Sequence, residues 1–412
     1  MLETKPMRYL MLTLLSATTS VQAAPPLATS PFYRVDPSAV PTDHLDGDLK
    51  LLRQALNNQI ETCKQQNLSE KRVIGSRKVT RQAWCLDTGR AMLSILDQSK
   101  SVSQAFEKAR AKFEWYQSEG SDGQGLVTFT GYNSPTLHGS LHRTSKYRYP
   151  IYSRPKDLVQ ITEDGKQVWR RKTSDGRYVP YYKRAEIDSC KSIATVPYGS
   201  CDTGDADGSN GALAGRGLEL AYVDDLFSVT VVQIEGSGFI ELDNGKRLHL
   251  NYAAQNGYSV TTPRKTLQSE GVPDEYLTIP GMRRYFREHP DKLVPTLLKN
   301  ESYIFFDASD NDVPRGVDGI AVTGLHSIAV DLKIFPVGVL TFFGSQKPIP
   351  NSAGDDAQGF EPYNRFGLTQ DTGGAIKGPG RVDVYWGEDQ YAEIASGTTN
   401  HPGKIFVALL PE

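Results

Sequence analysis

Three aspartates in the last third of the chain stand where strand-like runs give way to turns. Asp331 follows Ser327-Ile328-Ala329-Val330. Asp371 opens Asp371-Thr372-Gly373-Gly374-Ala375-Ile376-Lys377-Gly378. Asp383 lies within Arg381-Val382-Asp383-Val384-Tyr385-Trp386-Gly387. The glycines between the last two let backbone come close to a ligand. Carboxylates brought together cannot all ionise freely, so one holds its proton to higher pH and can act as a general acid near neutrality. Lys377 could hydrogen-bond a sugar or pair with the aspartates. Asp-Thr-Gly also occurs at Asp87 and Asp202, which invites comparison with aspartic proteases. A protease dyad needs two equivalent strand-borne loops; Asp87 sits in a helical pattern and Asp202 in an acidic loop, so that reading fails. The loop Asp202-Thr203-Gly204-Asp205-Ala206-Asp207-Gly208 lacks the terminal Glu spacing of a calcium-binding hand. No C-x-x-C pair or His cluster suggests a metal, and no cofactor is expected.

The elements that would position these residues change character along the chain. Residues 24–45 are rich in proline and read as an extended arm. Leu49, Leu52, Ala55 and Ile60 recur at helical spacing over 48–65, and a second helical stretch runs over 81–116, interrupted near Ser101. After the Gly120–Gly125 loop the pattern turns to short strands: 126–130, 168–170, 218–222, 229–234, 238–242 and 247–252. Asp243-Asn244-Gly245 marks a hairpin between the last two. Residues 261–300 read as helix broken at Pro280-Gly281. Strands return at 303–306, 328–330, 339–343, 381–385 and 405–410. Tyr132, Tyr152, Tyr258 and Trp386 are candidates for stacking on sugar rings or for ordinary core packing.

With 412 residues the chain can form two or three cored domains. Its net charge of −2 argues against nucleic acid, which asks for a basic face. Lys5 and Arg8 precede an apolar run at 9–15, and Val21-Gln22-Ala23 suits a cleavage site, so residues 1–23 are expected to be a secretion signal. That run is too short to span a bilayer. No later stretch is long enough either, and no cysteine follows the run to carry a lipid. A periplasmic or cell-envelope location follows. Four cysteines fit an oxidising compartment. Among three connectivities, Cys63 with Cys85 and Cys190 with Cys201 is the nearest-neighbour choice.

The aspartate segments resemble the three-aspartate domain of the membrane-bound lytic murein transglycosylase A family. The resemblance rests on 324–331 with Ile334-Phe335-Pro336-Val337-Gly338, on 370–378 and on 382–387. It continues upstream in Thr130-Gly131-Tyr132-Asn133-Ser134-Pro135, 149–155, 184–187, Gly236-Ser237-Gly238-Phe239-Ile240, 252–258 and 300–306. Similarity thus runs in order over about residues 125–410.

The resemblance implies a mainly β fold: a double-psi β-barrel large domain with an inserted smaller β-barrel domain and a helical N-terminal region. The implied boundaries are 24–132 for the N-terminal part of the large domain, 133–258 for the inserted glycan-binding barrel and 259–412 for the C-terminal catalytic part. It implies cleavage of the β-1,4 bond between N-acetylmuramic acid and N-acetylglucosamine in peptidoglycan without water, leaving 1,6-anhydromuramic ends. Asp383 would be the acid/base, with Asp371 and Asp331 in support. Thr130, Tyr132, Pro135, Gln233, Glu235, Gly236, Ser237, Gly238, Asn256, Gly373, Gly374 and Lys377 would meet the glycan strand. The chain departs from the family in having Glu235 where Gln is usual before Gly-Ser-Gly, and His326 where Arg is common. Both positions are expected near glycan contacts, and Glu235 would favour a less acetylated, more cationic glycan. The alternative to cleavage is a peptidoglycan-binding barrel that does not cut.

Overall fold

The computed structural model describes residues 30–188, 206–310 and 313–412. The expected secretion signal, Cys190, Cys201 and Asp202 lie outside them. The fold is mainly β with helices, and most strands fall into two sheets.

The first sheet closes on itself. Strand Asn400–Leu409 pairs with Leu340–Pro350, which pairs with Ala357–Asp371. Ser327–Ala329 comes next, then Arg381–Tyr385, then Val127–Tyr132, which returns to Asn400–Leu409. Closure removes the open edges that a sheet otherwise exposes. Glu114–Ser118 and Phe32–Val35 extend the ring outward through Asn400–Leu409. Alternation along each strand explains the barrel's filling. Val127, Phe129, Ile328, Phe343, Val382, Val384, Ile405 and Val407 share one core. The opposite face of three of these strands, through Leu340, Phe342, Phe366, Leu368 and Phe406, is covered by helices Leu49–Cys63, Thr88–Asp97 and Val102–Lys112. Asp48 caps the first of these helices by accepting from the Lys50 and Leu51 amides. A Cys63–Cys85 disulfide, Cα–Cα 6.5 Å, ties that helix to the turn before the second.

The second sheet runs, in order, Ile304–Ser309, Arg247–Gln255, Ser237–Leu242, Thr136–Ser140, Glu219–Val223 and Tyr149–Tyr152. Its two outer strands meet at one parallel bridge, Ser153 to Phe306, so it is nearly a barrel as well. Strand pairing therefore carries this body past residue 258, to Ser309.

Several elements differ from the sequence expectation. The run 229–234 is helix, not strand: Leu226–Glu235 is capped by Asp225 and stopped by Gly236 at φ 80°. Its β-branched residues are buried on nearly every side, and packing outweighs their strand preference. Residues 114–118 form a strand, because the closed sheet offers Asn400–Leu409 as a partner. Pro280 and Gly281 do not break a helix but lie in the first turn of Ile279–Glu288, where a missing N–H costs nothing. The long strand Ala357–Asp371 and the helix Gln390–Thr398 carry no clear periodicity in the sequence and were not anticipated.

Candidate active site

One rung of the closed barrel carries the expected chemistry. Ala329 pairs with Asp371 on one side and with Asp383 on the other. Asp383 pairs in turn with Thr130, and Thr130 with Asn400. The two aspartates therefore flank a single short strand. Since Val382 and Val384 point into the barrel core, Arg381, Asp383 and Tyr385 face outward. Thr130 and Tyr132 do the same on the neighbouring strand, opposite Val127 and Phe129.

That outward face is where the chain crosses to the second body. Tyr132 leads through Asn133, Ser134 and Pro135 into strand Thr136–Ser140. The crossing is pinned by Trp386 N–H to Tyr132 O at 2.9 Å and Ser134 N–H to Gly387 O at 3.0 Å. The Tyr385 hydroxyl meets Ser134 Oγ at 3.1 Å. A Cβ on Gly131 would stand 2.5 Å from Trp386 Nε1, so only glycine fits there. On the far side, Pro135 O accepts from Phe239 N–H at 2.8 Å, and Gly238 packs on Pro135. Glu235, Gly236 and Ser237 thus come to the mouth between the two bodies. A cleft of about 510 Å³ opens beside this crossing, walled by Asn133, Thr136 and Arg247 on one side and Glu388, Asp389 and Glu393 on the other. The aspartates of the rung are not among its walls. Arg247 and Glu388 form an ion pair across it.

The carboxyls differ in their surroundings. Asp371 Oδ2 accepts from the Tyr132 hydroxyl at 2.7 Å, and Oδ1 from the Thr372 amide at 2.8 Å. Burial raises its pKa, and those two donors hold the rise in check. Asp383 is pushed up to about 6 by burial and by the charge of Asp371, against the pull of Arg381. Arg381 stands 3.7 Å away, too far for a hydrogen bond, and donates instead to Thr130 Oγ1 at 3.1 Å. Asp383 Oδ1 and Arg381 Nε are buried without hydrogen-bond partners. Glu235 is held up at about 7, by burial first and by Asp383 second. An acid that keeps its proton near neutrality, with a fifth of its side chain exposed and one oxygen unfilled, can deliver that proton to a ligand.

The other expected residues divide cleanly. Asp331 is tied to backbone: Oδ1 accepts from Lys333 N–H at 3.0 Å and Oδ2 from Gly378 N–H at 2.8 Å, which fastens the Gly-rich turn to its strand. Gly373, Gly374 and Lys377 lie on that turn, with Gly374 and Lys377 exposed. Gln233 is not at the mouth. It is buried in the second body between Arg184 and the Ile304 carbonyl. Asn256, 1% exposed, spends its amide on the carbonyls of Tyr182 and Glu301 and its oxygen on Tyr303 N–H. His326 is likewise internal, bridging Phe366 O and the Asp48 backbone, and burial lowers its pKa to about 4. Tyr152 and Trp386 are core residues, and the Tyr258 hydroxyl is bound to Tyr181 O. Of the four candidate stacking rings, only Tyr132 stands at the rung. Arg381 and Arg247 were not singled out in the sequence. Position two residues before Asp383 was the available sign for Arg381; nothing local marked Arg247.

Two family models match the chain: the MltA specific insert domain over residues 128–307 and the 3D domain over 326–409, together more than half its length. Among characterised relatives, the membrane-bound lytic murein transglycosylase A of Escherichia coli K12 is 28% identical over 295 residues, 71% of this chain and 68% of the relative. The Vibrio cholerae protein of the same name is 27% identical over 290 residues, 70% of this chain and 66% of the relative. Among solved structures, E. coli MltA with bound chitohexaose aligns with a TM-score of 0.62 at 21% identity, covering 94% of this chain and 96% of that one. MltA from Neisseria gonorrhoeae aligns at 0.63 and 23%, covering 94% of each. These likenesses show a shared fold.

Proposed function

The chain belongs to the membrane-bound lytic murein transglycosylase A family, and we propose that it cuts peptidoglycan glycan strands with Asp383 as the single acid/base. The observation that carries this reading is Asp383 itself: a carboxyl raised to about 6, with one buried oxygen unfilled, on the face that meets the second body. In the first step the Asp383 carboxyl gives its proton to the leaving O4 as the bond to C1 of the muramic sugar breaks. In the second, the Asp383 carboxylate takes the proton from the C6 hydroxyl as O6 bonds to C1. The proton ledger closes, and the product is a 1,6-anhydro end. Separate acid and base groups are needed where water attacks; an internal nucleophile removes that need. Asp371 supports Asp383 through like-charge repulsion that keeps the proton on it. Thr130 and Tyr132, at the rung, and Glu235, Gly236 and Ser237, at the mouth, suit the glycan groove, while Asp331 keeps the turn around it in place. The six-stranded ring, with parallel pairs 327–329 with 357–371 and 381–385 with 127–132, is compatible with a double-psi barrel. The second body then acts as the inserted glycan-binding domain, and the N-terminal segment as an export signal to the cell envelope.

The test is mass spectrometry of purified peptidoglycan incubated with the full chain and with Asp383→Asn. Anhydromuropeptides from the wild type alone support the reading. Reducing ends would make the protein a hydrolase, and sacculus binding with no products would make it a binding protein.

A further inference from the structure

Glu235 ends the helix Leu226–Glu235, and Gly236 at φ 80° turns the chain into strand Ser237–Leu242. That strand runs parallel to Thr136–Ser140, with Phe239 beside Thr136, and Gly238 rests on Pro135. Four residues before Thr136 stands Tyr132, whose strand holds Thr130 beside Asp383. The covalent path therefore delivers Glu235 to the same mouth as the rung, where the charge of Asp383 acts on it. Among the described residues the Glu235 carboxyl has no hydrogen bond or ion pair. Asp383 Oδ1 also lacks a hydrogen bond. Asp383 stands beside the Arg381 guanidinium, with Asp371 on the far side of one strand and Glu235 under the charge of Asp383. Arg247 is engaged elsewhere, paired with Glu388 and lying 3.7 Å over the Phe239 ring. Glu235 is half-buried with no protein donor among the described residues and Asp383 Oδ1 is buried without one, so a ligand can supply donors to both.

We propose that Glu235 makes this chain selective for glycans that carry a free amino group on a sugar at the cut bond, its carboxylate receiving the ammonium. An acetamido group is neutral and offers one N–H. An ammonium offers three donors and a positive charge. No proton need come from solvent: where the carboxyl is protonated and the amine neutral, the proton passes from oxygen to nitrogen, and the pair ends as carboxylate and ammonium. This inference rests on the glycan-cleaving reading of the site and names the sugar chemistry it prefers.

The experiment compares fully N-acetylated sacculi with the same sacculi partly de-N-acetylated, scoring anhydromuropeptide release by the full chain and by Glu235→Gln. A charge-assisted contact in place of a neutral one leads us to expect release about tenfold faster from the de-N-acetylated substrate, with Glu235→Gln bringing the ratio near one. Equal rates by the wild type overturn the proposal without any variant, and so does a preference that Glu235→Gln keeps. Calorimetric titration of both proteins with hexamers of glucosamine and of N-acetylglucosamine reads the same selectivity without catalysis. If no substrate yields products, the cleavage reading falls and the titration alone decides: tighter glucosamine binding lost in Glu235→Gln supports Glu235, and equal binding removes it.

Discussion

Asp188 in the second body and Asp383 on the rim of the first both have carboxyls pushed up to about 6 by burial. Around Asp188 the Arg184 guanidinium is engaged at every nitrogen, and the Tyr303 hydroxyl beside it is buried without a partner and out of a ligand's reach. Arg184, 1% exposed, pairs with it at 3.5 Å. The same guanidinium also binds Gln233, the Asn300 carbonyl at 3.2 Å and the Ser302 carbonyl at 2.8 Å. Around Asp383 the accounting is left open: an oxygen and a guanidinium nitrogen have no partners, and the carboxyl keeps a fifth of its surface exposed. A raised pKa therefore marks burial and nothing more. Reachability together with an unfilled hydrogen bond separates a site from a structural knot.

Breaking each region should break a different property. Asp383→Asn should lower anhydromuropeptide release by about 10²–10⁴-fold, the range for losing a general acid, with the circular dichroism spectrum unchanged. Loss of both activity and fold would mean that Asp383 is structural after all. Arg184→Ala should instead strand Asp188 and cost about 3–5 kcal/mol in denaturant unfolding. A cost near zero would show that the Arg184 guanidinium does not hold Asp188 in place.

The third prediction sharpens the contrast through pH. A carboxyl whose folded pKa exceeds its unfolded one binds more protons folded than unfolded between those values, so it costs stability as pH rises through that window. Asp383 imposes that cost fully above about 6. Asp383→Asn should accordingly raise stability at neutral pH by roughly 3 kcal/mol, with the gain vanishing toward about pH 4. Thermal melts across pH check this, and a gain that persists at low pH would assign it to something other than the carboxyl. The smallest expected effect is that of Tyr132→Phe, which removes one hydrogen bond from Asp371. Asp371 then stays protonated to higher pH and repels Asp383 less. The alkaline limb of activity should move to lower pH, with a loss of about tenfold or less. A limb that moves upward would reverse the assigned coupling.

Local signals carried much of the fold. Alternation in Arg381–Tyr385 and the Asp-Asn-Gly hairpin after Leu242 gave strands where strands are found. The same reasoning failed at Leu226–Glu235, where a β-branched run is helical because neighbours bury it all round. The expectation that the family resemblance set for His326 failed as well, since its burial against Asp48 and Phe366 depends on residues 278 and 40 positions away. The resemblance failed again at Gln233 and Asn256, whose amides turn inward to satisfy backbone that no local pattern reveals.

The sequence by itself determined the family, the mainly β character and the identity of the aspartates, since motif order and residue type are local properties; it left three cysteine connectivities open, and the structure pairs Cys63 with Cys85. Only the tertiary structure decided which of those residues share a rung. Asp371 and Asp383 become neighbours because Ser327–Ala329 is inserted between their strands, and Glu235 comes under the charge of Asp383 because two bodies close on one crossing. Register and closure are long-range choices. They alone fix which polar groups are filled by the fold and which are left for a ligand.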